Sequence, residues 1–163
     1  MSARDLKSTN GFILSDFKYL MAYSIPLTAL IGFYLGGYWL FTTPFYIFVI
    51  IPIVEFLHTR YGIDELETHR AEKGIHWLFD LMLYLNILIV FGLLIYSLTK
   101  SVSFEFMSIE FFGSLLSLGL VLASNGINVA HELCHRTNTP ERFLGKFLLI
   151  PSLYMHFYLE HNY

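Results

Sequence analysis

Four long apolar stretches alternate with polar segments along the chain. Hydrophobic residues dominate positions 19–40, 41–57, 77–98 and 106–130. At about 1.5 Å per residue, an α-helix needs roughly 20 apolar residues to cross the hydrocarbon core of a bilayer. The pattern therefore predicts an all-α fold, a polytopic transmembrane helical bundle with about four spans.

Prolines and glycines predict the shape of the first two spans. Gly32 and Gly36 form a GxxxG pair, which allows a neighbouring helix to approach closely. A short turn is expected at Thr42–Pro44, so that the first two spans form a hairpin. Because proline removes a backbone donor, Pro26 is expected to kink the first span and Pro52 to break the second.

The third and fourth spans contain residues that favour contacts with other helices. Asp80 lies near the boundary of the third span and Asn86 lies inside it, so both side chains are expected to face neighbouring helices. The second half of the fourth span is rich in small residues, which suits tight packing or a narrow passage between helices. These are Ser117, Gly119, Ala123, Ser124 and Gly126.

The polar segments are expected at the membrane surfaces. Residues 1–18 are predicted to form a cytoplasmic tail, and residues 58–76 an aqueous loop. The histidines of this loop lack the i, i+3 or i+4 spacing of a ligand pair, and we interpret them as solvated interfacial residues. They are His58, His69 and His76. Residues 140–163 are apolar but interrupted, which indicates an interfacial or re-entrant C-terminal helix.

Composition and charge exclude several classes of protein. With 55% hydrophobic and 18% aromatic residues, the chain is too apolar for a soluble domain of 163 residues. Its net charge of −3 provides no basic surface, so a nucleic-acid partner is excluded. The single cysteine, Cys134, rules out an internal disulfide and a cysteine-based metal cage. It is expected to be a small buried or lipid-facing residue.

The basic residues predict the orientation of the bundle. With the N-terminus inside, only Lys100 of the ten lysines and arginines falls on the outer side. The other nine fall on the inner side, a strong positive-inside bias. They are Arg4, Lys7, Lys18, Arg60, Arg70, Lys73, Arg136, Arg142 and Lys146. The polar end of the fourth span is therefore expected at the cytoplasmic face.

A pair of histidines follows the fourth span directly. His131 and His135 are four residues apart, so on a helix both imidazoles lie on one face and can point at one metal, while Glu132 points elsewhere. A helical HExxH motif serves two chemistries. Either the histidines bind zinc and the glutamate is the general base of peptide hydrolysis, or the pair is one of several histidine boxes that jointly hold iron for reactions with oxygen.

Two stretches near the end of the chain carry a resemblance to a known family. Residues 128–136 read NVAHELCHR, and residues 156–163 read HFYLEHNY. The first is similar to the HExxH box, and the second to the start of the EHxxGHH box, of the integral-membrane alkane 1-monooxygenases. These are non-haem di-iron hydroxylases of the membrane fatty-acid desaturase superfamily. The resemblance is close over residues 125–163 and loose over the rest, and it suggests the N-terminal part of such a protein.

The resemblance implies a set of site residues around two non-haem irons. The expected iron ligands are His131, His135 and His161, and the residues expected to support them are Asn128, Glu132, His156 and Glu160. A site of this class needs more histidines than the chain supplies at matching positions. The remaining ligands are therefore expected past Tyr163, and the fragment itself is expected to be inactive.

The same resemblance implies an activity and its partners. The expected reaction is hydroxylation of an unactivated C–H bond, at the terminal methyl of medium-chain or long-chain alkanes, with O2 and electrons from a rubredoxin or a ferredoxin-type donor. An apolar substrate would arrive from the bilayer, among membrane lipids. The expected location is the bacterial inner membrane, with the metal site cytoplasmic. Residues 1–163 are expected to be one portion of a single catalytic domain, in which 131–163 carry the histidine boxes.

Three alternatives stay open. Xylene-type side-chain monooxygenases share the same boxes. An intramembrane zinc protease accounts for HExxH in a membrane setting, but leaves Glu160 and His161 unexplained, together with Asn128 and Arg136 beside the first box. A non-catalytic membrane subunit or anchor would account for the incomplete set of ligands.

Overall fold

The structure, a computed structural model, describes residues 20–60 and 76–162, and every regular element in this part of the chain is a helix. Within these limits the helices are α1 Met21–Leu35, α2 Gly37–Arg60, α3 His76–Ser101, α4 Ile109–Cys134, α5 Thr139–Leu148 and α6 Phe157–Asn162. Among the described residues, α2, α3 and α4 are long and apolar enough to cross a membrane, and α1 is a shorter apolar helix. The predicted all-α bundle is confirmed, with close to the expected number of spans.

The hairpin turn between α1 and α2 lies at Gly36 and Gly37, and not at Thr42–Pro44 as predicted. Gly36 has φ 70° and Gly37 has φ 57°, a backbone region that residues with a Cβ rarely adopt. The segment Thr42–Phe45 is helical and belongs to α2. Consecutive glycines therefore make this turn, and the threonines and proline that suggested one are compatible with the helix.

Neither proline interrupts its helix in the predicted way. Pro26 lies in the first turn of the segment Ser24–Leu35, where a backbone donor is not needed. Pro52 lies near the start of the segment Ile51–Arg60, and α2 continues through it. A π-helical segment, Tyr46–Ile50, precedes Pro52, and its wider turn makes room for the proline ring. The predicted break at Pro52 is therefore replaced by a local widening.

The start of α2 packs tightly between α1 and α4. A Cβ on Gly32 of α1 would lie 2.6 Å from the carbonyl oxygen of Trp39. A Cβ on Gly113 of α4 would lie 2.8 Å from the Cβ of Leu40. Of the predicted GxxxG pair, Gly32 allows this close approach, whereas Gly36 forms the turn. Both approaches need glycine because the opposing atoms belong to the backbone or move only with it.

The largest buried cluster lies where α3, α4 and the end of α5 meet. Its members are Leu83, Ile87, Val90, Ala130, Leu133, Leu148 and Leu149. A smaller cluster joins α1, α3 and α4 through Ala29, Leu93 and Val121. Because Ala130 and Leu133 flank His131 along α4, the main core lies directly behind the histidine-bearing turn.

The segment 139–162, in place of the single C-terminal helix that was predicted, forms two short helices joined by a turn. The ten residues of α5 are too few to cross a membrane, and its buried side, with Gly145 and Leu148, packs on the end of α4. Asn138 precedes α5 and a proline occupies its first turn, which is a favourable helix start. The predicted tail 1–18, His69 and the side chains of His76 and His161 lie outside the described residues.

Candidate metal centre

The histidine pair lies in the last turn of α4. Ser108 caps the start of this helix, because its hydroxyl accepts a hydrogen bond from Phe111 N at 3.1 Å. The helix continues past the predicted end at residue 130 as far as Cys134. A π-helical segment, Leu122–Ile127, precedes the regular turns that carry the histidines. The histidines therefore lie at the end of a helix that continues from a candidate membrane span.

The two imidazoles converge. His131 Nε2 and His135 Nε2 lie 2.8 Å apart, with ring centroids 4.6 Å apart. Two imidazole nitrogens that bind one metal at about 2.1 Å, with an angle of about 90°, lie about 3 Å apart. The i, i+4 spacing brings both rings to one face, and the two nitrogens lie within hydrogen-bond distance of each other, a separation close to that of two adjacent ligands of one metal. Within the described residues, no group of three or more His, Cys, Asp or Glu side chains is arranged to hold a metal.

His131 also contacts the first residue of α6. Its ring meets the ring of Phe157 edge to face, with centroids 5.5 Å apart. Phe157 is in turn stacked on Tyr154, at a centroid distance of 5.5 Å. Helical spacing places position 161 on the same side of α6 as position 157. The helix that carries His161 therefore starts beside the histidine pair.

Glu132 and Asn128 are the two residues of α4 that were expected to support the ligands, and neither points directly at the histidine pair. Glu132 is exposed, and its carboxylate lies 3.4 Å from Arg136 Nη2. Asn128 lines a cavity of about 420 Å³ between α1, α3 and α4, together with Glu132. Asn128 is three residues before His131 and seven before His135, so it lies on the edge of the histidine face that borders the cavity.

The other two supporting residues lie near α6. His156 is exposed and its ring contacts that of Tyr154, with centroids 4.5 Å apart. Its carbonyl oxygen accepts hydrogen bonds from Leu159 N at 3.0 Å and from Glu160 N at 3.1 Å, which closes the first turn of α6. Glu160 is exposed on that helix. The structure therefore brings His131 and His135 together but leaves His156 at the surface.

Arg136 anchors the end of the histidine turn to α3. Its Nη2 donates to Asp80 Oδ1 at 2.8 Å, and its guanidinium lies 5.9 Å from the ring centroid of Phe79. As expected, Asp80 faces another helix. Asn86, also expected to face a neighbour, is buried against α4. Cys134 is buried too, and its sulfur lies against Gly145 of α5.

Two contacting residues were missed in the sequence. Phe157 was known only as the second residue of the His-Phe dipeptide before the second partial box, and its contact with His131 needed the tertiary fold. Asn125 was not singled out, although an amide within an apolar span is the same signal that identified Asn86. Both asparagines prove to contact each other.

A second cavity, of about 690 Å³, lies between α1 and α3 and is almost entirely apolar. Leu27 and Leu30 line it from α1, and Ile89 and Leu93 from α3. Tyr23 lines both this groove and the smaller cavity beside Asn128. An apolar groove and a more polar cavity thus lie next to each other, and the polar cavity borders α4.

Comparison with known proteins yields two relatives. No protein-family model matches the chain. Alkane 1-monooxygenase 1 of Alcanivorax borkumensis is 30% identical over 146 residues, which cover 84% of this chain and 35% of that protein. Alkane 1-monooxygenase 1 of Pseudomonas aeruginosa is 29% identical over 127 residues, which cover 77% of this chain and 33% of that protein. The chain spans about a third of the length of these curated relatives. The resemblance is therefore confirmed, and in sequence this chain is related to the alkane 1-monooxygenases.

Proposed function

We propose that this protein is a membrane-bound oxidoreductase that hydroxylates an unactivated C–H bond, at the terminal methyl of medium-chain or long-chain alkanes. The observation that carries the proposal is the pair of imidazole nitrogens 2.8 Å apart at the end of a membrane-length helix. In a chain related to alkane 1-monooxygenases, such a pair is best explained as part of an iron site.

His131, His135 and His161 would be ligands of two non-haem irons, and these irons would supply the activation of O2 for insertion into the C–H bond. The task of the surrounding residues is to hold the ligands still. Phe157 supports the ring of His131, and Arg136 fixes the end of the helical turn through Asp80. Loss of such supporting contacts typically lowers metal affinity or activity about 10- to 100-fold.

The substrate would be an apolar small molecule that enters from the membrane lipid. The groove between α1 and α3 supports this, because its lining is apolar and its volume of about 690 Å³ suits a hydrocarbon chain. The adjoining cavity, with Asn128 and Glu132, leads towards the histidine helix. Binding of an alkane would be favourable, because the hydrocarbon displaces water from the groove and buries no unpaired polar group there.

The distribution of basic residues supports one orientation of the protein in the membrane. We infer that the histidine pair faces the cytoplasm of a bacterial cell, because Arg136, Arg142 and Lys146 lie next to it. A soluble donor, a rubredoxin or a ferredoxin-type protein, would then deliver electrons from that side. The inner membrane is the expected location.

Metal analysis of the protein purified from membranes tests the proposal. About two irons per chain and no stoichiometric zinc are expected. His131→Ala and His135→Ala should each lose iron and alkane hydroxylation together. The matched control is His58→Ala, which removes a half-buried imidazole near the end of α2, outside the pair, and should keep both. One zinc without iron, or full hydroxylation in either of the first two variants, would contradict the proposal.

Two further measurements separate this proposal from its rivals. Glu132→Gln should retain part of the hydroxylation, because the carboxylate is ion-paired with Arg136 and no protein base is required. An HExxH protease would lose all activity with this change. Turnover of xylene in preference to linear alkanes would assign the protein to the xylene-type enzymes instead.

A further inference from the structure

Two buried asparagines join α3 to α4 within the membrane-length part of the bundle. Asn86 and Asn125, which we call the amide pair, are each 3% exposed. Asn86 Nδ2 donates to the carbonyl oxygen of Asn125 at 2.7 Å, and Asn125 Nδ2 donates to Asn86 Oδ1 at 2.9 Å. The contact is thus reciprocal, which fixes both the height and the rotation of one helix against the other.

The amide pair also reaches a third helix. Asn125 Nδ2 donates to the carbonyl oxygen of Ala22 at 2.9 Å, and Asn125 Oδ1 accepts from Ser124 Oγ at 3.1 Å. Ala22 belongs to the first turn of α1, so one side chain connects three helices. Burying amides in an apolar bundle is costly unless they are fully paired, and polar residues at such positions are usually functional.

Asn125 lies at a special place in α4. It is part of the π-helical segment Leu122–Ile127, six residues before His131. A π-helical turn changes the number of residues per turn, so the rotation of the helix after the segment depends on how the segment is held. The direction in which His131 and His135 point therefore depends on the contacts of Asn125.

We propose that Asn125 and Asn86 are positioning residues, which fix the rotation of α4 so that His131 and His135 face α6. The part of this inference that concerns iron rests on the proposed function; the rotation of α4 does not. Burial alone does not explain the reciprocal contact, because a buried polar side chain in this bundle can be satisfied within its own helix. Ser97 of α3 is fully buried, yet its hydroxyl donates only to Leu94 O of its own helix, at 2.9 Å.

The chain supplies its own reporter of this rotation. Cys134 lies one residue before His135 and is 3% exposed, with its sulfur against Gly145 of α5. A change in the rotation of α4 would turn the thiol out of that contact. Alkylation of Cys134 by a membrane-permeable maleimide, followed by peptide mass spectrometry, therefore measures rotation without reference to any metal.

The experiment uses Asn86→Leu, Asn125→Leu and the double variant, in the membrane-embedded full protein. Leucine has nearly the shape of asparagine. Each single variant removes one partner of the side-chain hydrogen bond between Asn125 Nδ2 and Asn86 Oδ1 and should lower the unfolding temperature, whereas the double variant removes both side-chain amides and should recover part of it. In the double variant, Cys134 should still be alkylated about tenfold faster. Its iron affinity should fall about 10- to 100-fold, the usual effect of losing support around a metal. Ser97→Ala is the matched control, and should leave alkylation and iron unchanged.

The outcomes separate the two hypotheses. If the double variant folds well but keeps Cys134 protected and iron bound, the amide pair is only packing and the inference is overturned. If the unmodified protein holds no iron but the double variant still exposes Cys134, the proposed function fails while the positioning of α4 stands. Recovery of stability without recovery of Cys134 protection is the result that supports the inference.

Discussion

Arg136 Nη2 lies 2.8 Å from Asp80 Oδ1, and this ion pair connects the residue after His135 to the start of α3. Glu132, one turn earlier on α4, is a second and longer partner at 3.4 Å. Since Arg136 is where the chain leaves α4, its partners determine the direction in which the chain continues towards α5. The ion pair between Arg136 and Asp80 therefore holds the end of the histidine turn against α3, in addition to the core contacts behind that turn.

Asp80→Asn should destabilise the protein by about 1 kcal/mol. The side chains of Arg136 and Asp80 are 29% and 38% exposed, so solvent screens part of the attraction. Thermal unfolding in detergent micelles measures the change. Glu132→Gln is the control, because its 3.4 Å contact is longer and its side chain 47% exposed, and it should cost less. Equal losses of stability in the two variants would show that the 2.8 Å contact stabilises the protein no more than the 3.4 Å contact does.

Gly113→Ala should destabilise the bundle by about 1–3 kcal/mol, the usual effect of overpacking. The added Cβ would lie 2.8 Å from Leu40 Cβ and 2.9 Å from Phe41 Cε2, and α2 cannot retreat without moving its backbone. The unfolding temperature is the measurement. Gly119→Ala is the matched control on the same helix, where a Cβ meets nothing within 4 Å, and alanine should there be neutral or stabilising. A similar loss in both variants would contradict the proposed close approach of α2 and α4.

Ser117→Ala should cost about 1 kcal/mol or more, because the buried hydroxyl of Ser117 donates to the carbonyl oxygen of Leu40 across two helices. Ser114→Ala, one turn earlier, is the control. Its hydroxyl is also buried but donates to Phe111 O of the same helix, at 2.8 Å, so its loss should be smaller. Both are measured by thermal unfolding. If Ser114→Ala proves the more damaging change, the link between α4 and α2 does not contribute as described.

The helix content and the histidine pair could be predicted because each depends on local spacing. An i, i+4 separation places His131 and His135 on one face of any helix, and the structure keeps them together. The turn was misplaced because Gly36 was interpreted as part of a GxxxG packing pair, although Gly36 and Gly37 together are a local turn signal.

Contacts between distant parts of the chain could not be predicted. The amide pair joins residues 39 positions apart, and the His131–Phe157 contact depends on where α6 begins. The π-helical segments also have no clear local signal, because they differ from an α-helix by one hydrogen-bond step. The hydrophobic pattern therefore does not determine how the part of α4 after Leu122 is rotated.

The contact between α5 and the histidine turn leads to a last prediction, for Gly145→Ala. The added Cβ would lie 2.8 Å from Cys134 Sγ and 2.9 Å from the carbonyl oxygen of Ala130. We expect α5 to be pushed off α4, with a loss of about 1–3 kcal/mol in the free energy of unfolding and faster alkylation of Cys134. Gly92→Ala, where a Cβ meets nothing within 4 Å, is the matched control and should change neither.

Adding Cys134→Ala to Gly145→Ala identifies which of the two atoms limits the approach of α5. Replacing the cysteine removes the sulfur, but the carbonyl oxygen of Ala130 stays in place because it belongs to the backbone of α4. Unfolding of the double variant should therefore recover only part of the lost stability, relative to Cys134→Ala alone. Full recovery would mean that the sulfur alone sets the distance between α5 and the histidine turn. In that case the backbone contact at Ala130 would be looser than the 2.9 Å separation implies.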